Sequence, residues 1–313
     1  MVVRLARLAG TFVATVLAST VLVFLLLRVM PGDPATVALG IDATPEQLDA
    51  WRAEFGTDAP LLTQYLDWVG GLLRGDFGTS YVTHSEIGPV IAERAQATII
   101  IVLVSMVVAL LVAIPLGTLA AVRHRHASGG VISAVSQVGV AVPSFLVGML
   151  LIAYFAIDLQ WLPSGGWVPP SEGVDFLRHL VLPVIALATV QGSILTRFVR
   201  SAVLEIQRED FLRTARSKGL TANAALVRHG LRNASIPVLT VVGVQLAGML
   251  VGAVVVERVF AIPGLGGYLV DAVANRDLLA VQAIVFLLVL AVIVINFLVD
   301  LAFTAIDPRM RRA

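Results

Sequence analysis

Residues Asp210–Pro237 read DFLRTARSKGLTANAALVRHGLRNASIP, the longest polar and basic interruption in the apolar second half of the chain. Phe211, Leu212 and Ala215 recur at helical spacing, so the stretch opens as a short helix. Gly219 stands where that helix must end, because glycine adopts the left-handed conformation of a helix cap without steric cost, and Thr221 is placed to cap a second helix. Pro237 already lies inside the next apolar run. The order is therefore helix, glycine turn, helix, and return to the membrane. Basic residues alone would not single this stretch out, since cytoplasmic loops are basic in general.

The surroundings decide the class. Hydrophobic residues make up 58% of the 313 and charged residues 14%, and mean hydropathy is +0.91. This composition excludes a soluble globular domain and is that of an all-α polytopic membrane protein. A net charge of +1 gives no basic field for nucleic acid, and the lack of cysteine excludes disulfides, iron–sulfur clusters and thiol chemistry. Lys218 is the only lysine, so no G-K-[ST] phosphate loop exists. If ATP drives this protein, another chain must bind it. Neither H-E-x-x-H nor G-x-S-x-G occurs, which argues against an intramembrane hydrolase.

Six apolar runs are long enough to span a bilayer: Leu8–Leu27, Ala97–Val122, Val131–Ile157, Leu177–Leu195, Ala234–Val256 and Leu278–Ala305. The first is long for a signal peptide and no small-x-small cleavage site follows it. Pro115 loosens the second span and Pro143 bends the third. The fourth is the weakest, interrupted by Arg178, His179, Pro183 and Gln191. The chain thus divides into a first span (1–30), a hydrophilic segment (31–96) and a five-helix core (97–313) carrying the polar stretch 197–232. Segment 31–96 holds ten acidic residues and three arginines. Thr44–Gln47 starts a helix as a capping box, with Leu48, Trp51 and Phe55 on one face, and Leu61–Val69 forms a second amphipathic helix. Such helices either lie on the bilayer or build a small platform; the low content of basic residues favours the extracytoplasmic side, and 31–96 is read as an extracytoplasmic helical platform between the first two spans. Ile87–Arg94 reads as a short elbow into the membrane.

Basic residues are unevenly distributed. With both termini inside, the inner segments carry fifteen and the outer segments six, so the bias favours N-in, C-in and places 197–232 in the cytoplasm. Arg123-His124-Arg125-His126 reads as a cytoplasmic turn, since no carboxylate or cysteine accompanies it as a metal ligand. Gln191, Gln245 and Asn296 are candidate path-lining residues, because polar residues in a bundle prefer its interior. Asp300 shares a helix face with Asn296 and reads as a packing residue near the cytoplasmic interface.

Seven motifs occur in order: Pro31-Gly32-Asp33-Pro34, Gly75-Asp76-Phe77-Gly78-Thr79-Ser80, Pro143-Ser144-Phe145, Leu162-Pro163-Ser164-Gly165-Gly166, the 210–237 stretch, Glu257–Gly266 and Asp307-Pro308-Arg309. Together they resemble the ABC-importer permeases of the oligopeptide/dipeptide/nickel family, in the form of its first, B-type, dipeptide permease. The resemblance implies a type I importer permease. It also implies that the loop known as EAA is carried here by Asp210, Phe211, Arg213, Thr214, Ala215, Lys218, Gly219, Arg232, Asn233 and Pro237, seated in a cleft of a separate ATPase. Arg213-Thr214-Ala215 stands where the loop's name would be spelled. The element Glu257, Phe260, Pro263, Gly264 and Gly266 is then an outer gate or a structural turn. The implied partners are a second homologous permease, two ATPase subunits that hold ATP and magnesium, an extracytoplasmic substrate-binding protein and the lipids of a bacterial inner membrane. No cofactor or metal is expected in this chain. Peptide is the expected substrate, with nickel or another small solute as the alternative; the five histidines are scattered. A secondary transporter is the rival of a different class, and it usually shows internal repeats and intramembrane charges.

Overall fold

The computed structural model describes residues 2–29, 33–40 and 42–306. Pro31-Gly32 of the first motif and all of Asp307-Pro308-Arg309 lie outside the described residues. Among those described there is no strand, only an isolated antiparallel bridge between Thr79 and Glu86. The helices are α1 (Val2–Val29), α2 (Pro34–Leu39), α3 (Pro45–Glu54), α4 (Leu61–Arg74), α5 (Ile87–Val122), α6 (Ala127–Ala141), α7 (Ser144–Leu151), α8 (Val174–Ile206), α9 (Asp210–Ser217), α10 (Ala222–Ala225), α11 (Leu231–Val259), α12 (Leu265–Ala274) and α13 (Leu278–Ile306). Five are long and apolar enough to cross a membrane, and α6 with the α7 region forms a bent pair that passes the same test together.

The helices depart from the apolar runs at three places, each for a local reason. The elbow before the second span is continuous with it: α5 runs 36 residues from Ile87. Pro89 falls in its first turn, where a missing N–H costs nothing, and Ile87 and Ile91 are buried. The helix of the fourth span, α8, continues to Ile206, beyond the expected end at Leu195. Arg197 and Arg200 end an apolar run but are good helix formers, so the helix continues past it. The third span is broken outright. Pro143 forces Val142 to an extended conformation (φ −86°, ψ 122°), so α6 stops and α7 begins anew, and the two segments meet at 97°. Ile152–Asp158 then adopts a π-helix.

The residues cluster into two compact units. One comprises Val2–Gln96 with Gly264–Val294. Its core is Ile87, Ile91, Leu265, Ala272, Ala280, Val281, Ala283 and Ile284. The capping box at Thr44 forms with both of its hydrogen bonds. Trp51 packs on Phe55 (4.4 Å between ring centres) and edge-on to Tyr81. Ser80 Oγ donates to Asp277 Oδ2 at 2.5 Å, tying the turn after Gly78 to the start of α13. Arg52 pairs with Asp33, and that guanidinium hydrogen bond holds the Asp33 carboxyl below the usual carboxylate range.

The second unit comprises Ala97–Pro263 and the part of α13 from Ile295. Here α8 is the central element, packed by α6, α7 and α11, and it has thirteen buried residues. At its C-terminal end a separate cluster forms from Ala121, Val199, Ala202, Val203, Leu212, Ala225, Leu226 and Ala234. That cluster anchors the polar stretch 210–237.

Candidate functional site

The short helix read from the sequence forms as α9, and it is amphipathic. Leu212 is buried in the cluster beneath it. Asp210, Arg213, Thr214, Arg216, Ser217 and Lys218 face outward, and Phe211 is 37% exposed. Asp210 lies in the first turn and Arg216 in the last, matching the helix dipole at both ends. Gly219 takes φ +94°, which directs the chain away from α9, and Leu220 N–H closes the turn on the Ala215 carbonyl at 3.3 Å. Thr221 Oγ1 accepts from the Ala224 N–H at 3.2 Å, the cap the sequence predicts. A π-helical turn, Leu226–Gly230, leads into α11. Arg232, Asn233 and Pro237 all lie on α11 and are exposed. Ala215 is half-buried against the cluster. The result is a small cationic surface, with Phe211 as its apolar element, mounted on a buried footing.

Two of the three polar residues singled out in the spans meet. Gln245 Nε2 on α11 donates to Gln191 Oε1 on α8 at 2.6 Å. Both are half-buried. Asn296 is exposed on α13.

The Glu257–Gly266 motif divides between the two units. Glu257 is buried at the end of α11, and its Oε1 accepts from Thr98 Oγ1 at 2.5 Å. Phe260 is buried as well. Its carbonyl accepts from Gly166 N–H at 2.7 Å, and its ring lies where a Cβ on Gly148 would reach it at 3.0 Å. Ala261 then takes a left-handed φ of +50°, and Ile262 N–H returns to the Glu257 carbonyl at 2.8 Å. That is the Schellman end of a helix, with alanine in the place glycine usually holds. Pro263 is exposed. Gly264 and Gly266 belong to the other unit, where both are buried at the start of α12. The arrangement makes Glu257 and Phe260 packing centres of their unit. Among the described residues no group of three His, Cys, Asp or Glu side chains is placed to hold a metal.

Comparison with known proteins decides the family. Residues 113–312 match the model of the binding-protein-dependent transport system inner membrane component, and residues 1–101 match the N-terminal model of such membrane components. The chain belongs to this family. A relative from Sinorhizobium fredii, named "Probable peptide ABC transporter permease protein", is 38% identical over 98% of both chains. A glutathione transport system permease protein of Salmonella choleraesuis is 39% identical over 98% of both, and its Escherichia coli counterpart is 37% identical over 97% of both. A crystal structure of an amino acid ABC transporter with histidines superposes with a TM-score of 0.51, at 16% identity, over 69% of this chain and 94% of that one; it supports the fold alone.

The chain is thus a multi-pass inner-membrane permease component and not itself an enzyme. Within this permease, sequence reasoning located Glu257 but not Thr98, which lies 159 residues away in the chain. A lone threonine inside an apolar run carries no signal of its partner. It also missed Leu212 as the footing of α9; the signal was present, since Leu212 is the apolar residue between outward-facing neighbours on a short polar helix.

Proposed function

We propose that this permease forms half of the translocation path of an ATP-driven importer of di- or oligopeptides, with six spans and both termini in the cytoplasm. A second, homologous permease supplies the other half. Two separate ATPase subunits bind ATP and magnesium, because this chain has no phosphate-binding loop, and a substrate-binding protein delivers the peptide from outside. The peptide assignment follows the relatives named for peptide and for glutathione, itself a small peptide. Counting α6 with the α7 region as one broken span makes six, and the excess of basic residues in the segments then facing inward supports the orientation.

The observation that carries the reading is α9. Its outer face is exposed and cationic, while Leu212 and the cluster at the end of α8 hold it. A push on such a helix is transmitted to α8, and α8 is packed by α6, α7 and α11. Asp210, Phe211, Arg213, Thr214, Lys218 and Gly219 would make the contact with the ATPase; Arg232 and Asn233 would flank it.

The test is uptake and ATPase activity of the assembled complex in lipid. Arg213→Glu reverses charge on the contact face. Gly219→Pro cannot adopt φ +94°. In both variants binding-protein docking should persist, while peptide uptake falls about tenfold or more, the size of an ordinary coupling energy between sites. Uptake at the original rate in both variants would sink the coupling role. Peptide transport by the chain alone, without ATP, would replace the importer with a secondary transporter.

A further inference from the structure

A second polar feature lies apart from α9, between α6 and α8. Gly139 on α6 lies against Ser193 on α8. From that close approach the facing order is antiparallel, and the helices open on a cavity of about 230 Å³. Ser133, Ser136 and Gln137 line it from α6; Thr196, Arg197, Arg200 and Ser201 line it from α8; Ala120 of α5 supplies the one apolar residue. Each set falls on a single helix face, since residues three and four apart are neighbours on a helix.

The chemistry of this lining is one-sided. It contains two guanidinium groups and no carboxylate. The hydroxyls of Ser133, Ser136 and Thr196 each donate to a backbone carbonyl one turn back. The remaining donors are therefore the guanidinium N–H groups, the Gln137 amide and the Ser201 hydroxyl. The Arg200 Nε is buried and has no hydrogen-bond partner, and a buried unpaired donor is costly. Two arginines three residues apart on one helix also repel each other unless an anion lies between them.

We propose that this cavity binds a phosphate-bearing anion, which in the membrane is the headgroup phosphodiester of an anionic phospholipid. A guanidinium presents a planar fork of donors that matches phosphate oxygens. The position fits a headgroup. Ser133 lies six residues into α6, which begins just after the Arg123–His126 turn, so it is about 9 Å along the helix from its start. Basic pockets between spans on the cytoplasmic side hold anionic headgroups. This placement rests on the inward orientation proposed above, whereas the anion chemistry does not.

The experiment uses the assembled complex in nanodiscs of phosphatidylglycerol mixed with phosphatidylcholine, followed by native mass spectrometry of retained lipid. Phosphatidylglycerol should stay bound and phosphatidylcholine should not. Arg197→Gln and Arg200→Gln should each reduce retention about fivefold. Ser133→Leu, which fills the cavity with both charges intact, should reduce it as well. Arg123→Gln with Arg125→Gln removes twice the charge of either variant outside the cavity and should leave retention unchanged. Equal loss in that control pair, or full retention in Ser133→Leu, overturns the site. If inorganic phosphate alone raises the thermal midpoint as much as phosphatidylglycerol, the lipid source is overturned and a soluble anion takes its place. Labelling of Arg125→Cys by an impermeant maleimide reads the orientation separately, in a chain that has no other cysteine.

Discussion

Glu257 and Thr98 show what one buried contact contributes. A carboxyl group withdrawn from water needs its hydrogen bonds, and Thr98 Oγ1 supplies one at 2.5 Å. Thr98→Val should lower the unfolding free energy in detergent by about 1–3 kcal/mol, while Thr98→Ser keeps the hydroxyl and should recover most of it. Equal thermal midpoints for the two variants would remove the hydrogen bond from the account. The Asp33–Arg52 pair lies at the other extreme, with both side chains about a third exposed (30% and 34%), and should contribute no more than about 1 kcal/mol. Its pH dependence has a definite sign. The folded-state carboxyl is held below its ordinary value, chiefly by the Arg52 hydrogen bond. The stabilisation is therefore present above the unfolded-state value, near 4, and is lost as pH falls through the lower folded-state value. Asp33→Asn should be less stable at pH 7, and the difference should shrink as pH falls below the unfolded-state value and through the lower folded-state one. A gap that does not shrink on acidification would assign the effect to something other than this carboxylate.

Helices in this permease end where a local device ends them, and the segments between are built as closely as the helices. The Leu162–Gly166 and Glu257–Pro263 motifs are far apart in the chain yet form one packed turn: Phe260 fills the space left by Gly148, and its carbonyl is bonded by Gly166. A Cβ on Gly165 would overlap the Phe260 carbonyl. Gly165→Ala should therefore cost about 1–3 kcal/mol, because the new Cβ meets the Phe260 backbone, which cannot turn aside as a side chain can. Gly70→Ala, in the interior of α4 with open space around it, should be neutral or stabilising by up to about 1 kcal/mol. Thermal unfolding of the pair decides the matter; similar midpoints would refute the close approach. The α6–α7 break follows the same logic, since Pro143 and its effect on Val142 end one helix and position the next.

Across the molecule, the polar stretch at 210–237 and the long helix α8 form one mechanical system. The cluster under α9 contains residues of α5, α8, α9, α10 and α11, so α9 is packed against the ends of three predicted spans. The uptake losses expected for Arg213→Glu and Gly219→Pro belong to this level: both positions are exposed, so neither variant removes a buried packing contact. Footing and outer face sit on adjacent positions of one short helix, with Leu212 inside and Arg213 outside.

The amino-acid order alone was enough for the membrane class, the α9–glycine–α10 layout and the capping box at Thr44. These depend on composition, periodicity and local backbone preference, which act over a few residues. The order also carried the family, because its motifs combine proline, glycine and charge at set spacings. It did not carry the pairing of Gln191 with Gln245, of Thr98 with Glu257, or of Phe260 with Gly165 and Gly166. Nor did it show that α8 runs on to Ile206, that the third span breaks at 97°, or that two arginines line a cavity with serines of another helix. Each of these arises where distant segments pack, and packing is set by the shape and hydrogen-bonding capacity of both partners at once. A single stretch of sequence states only one side of each contact.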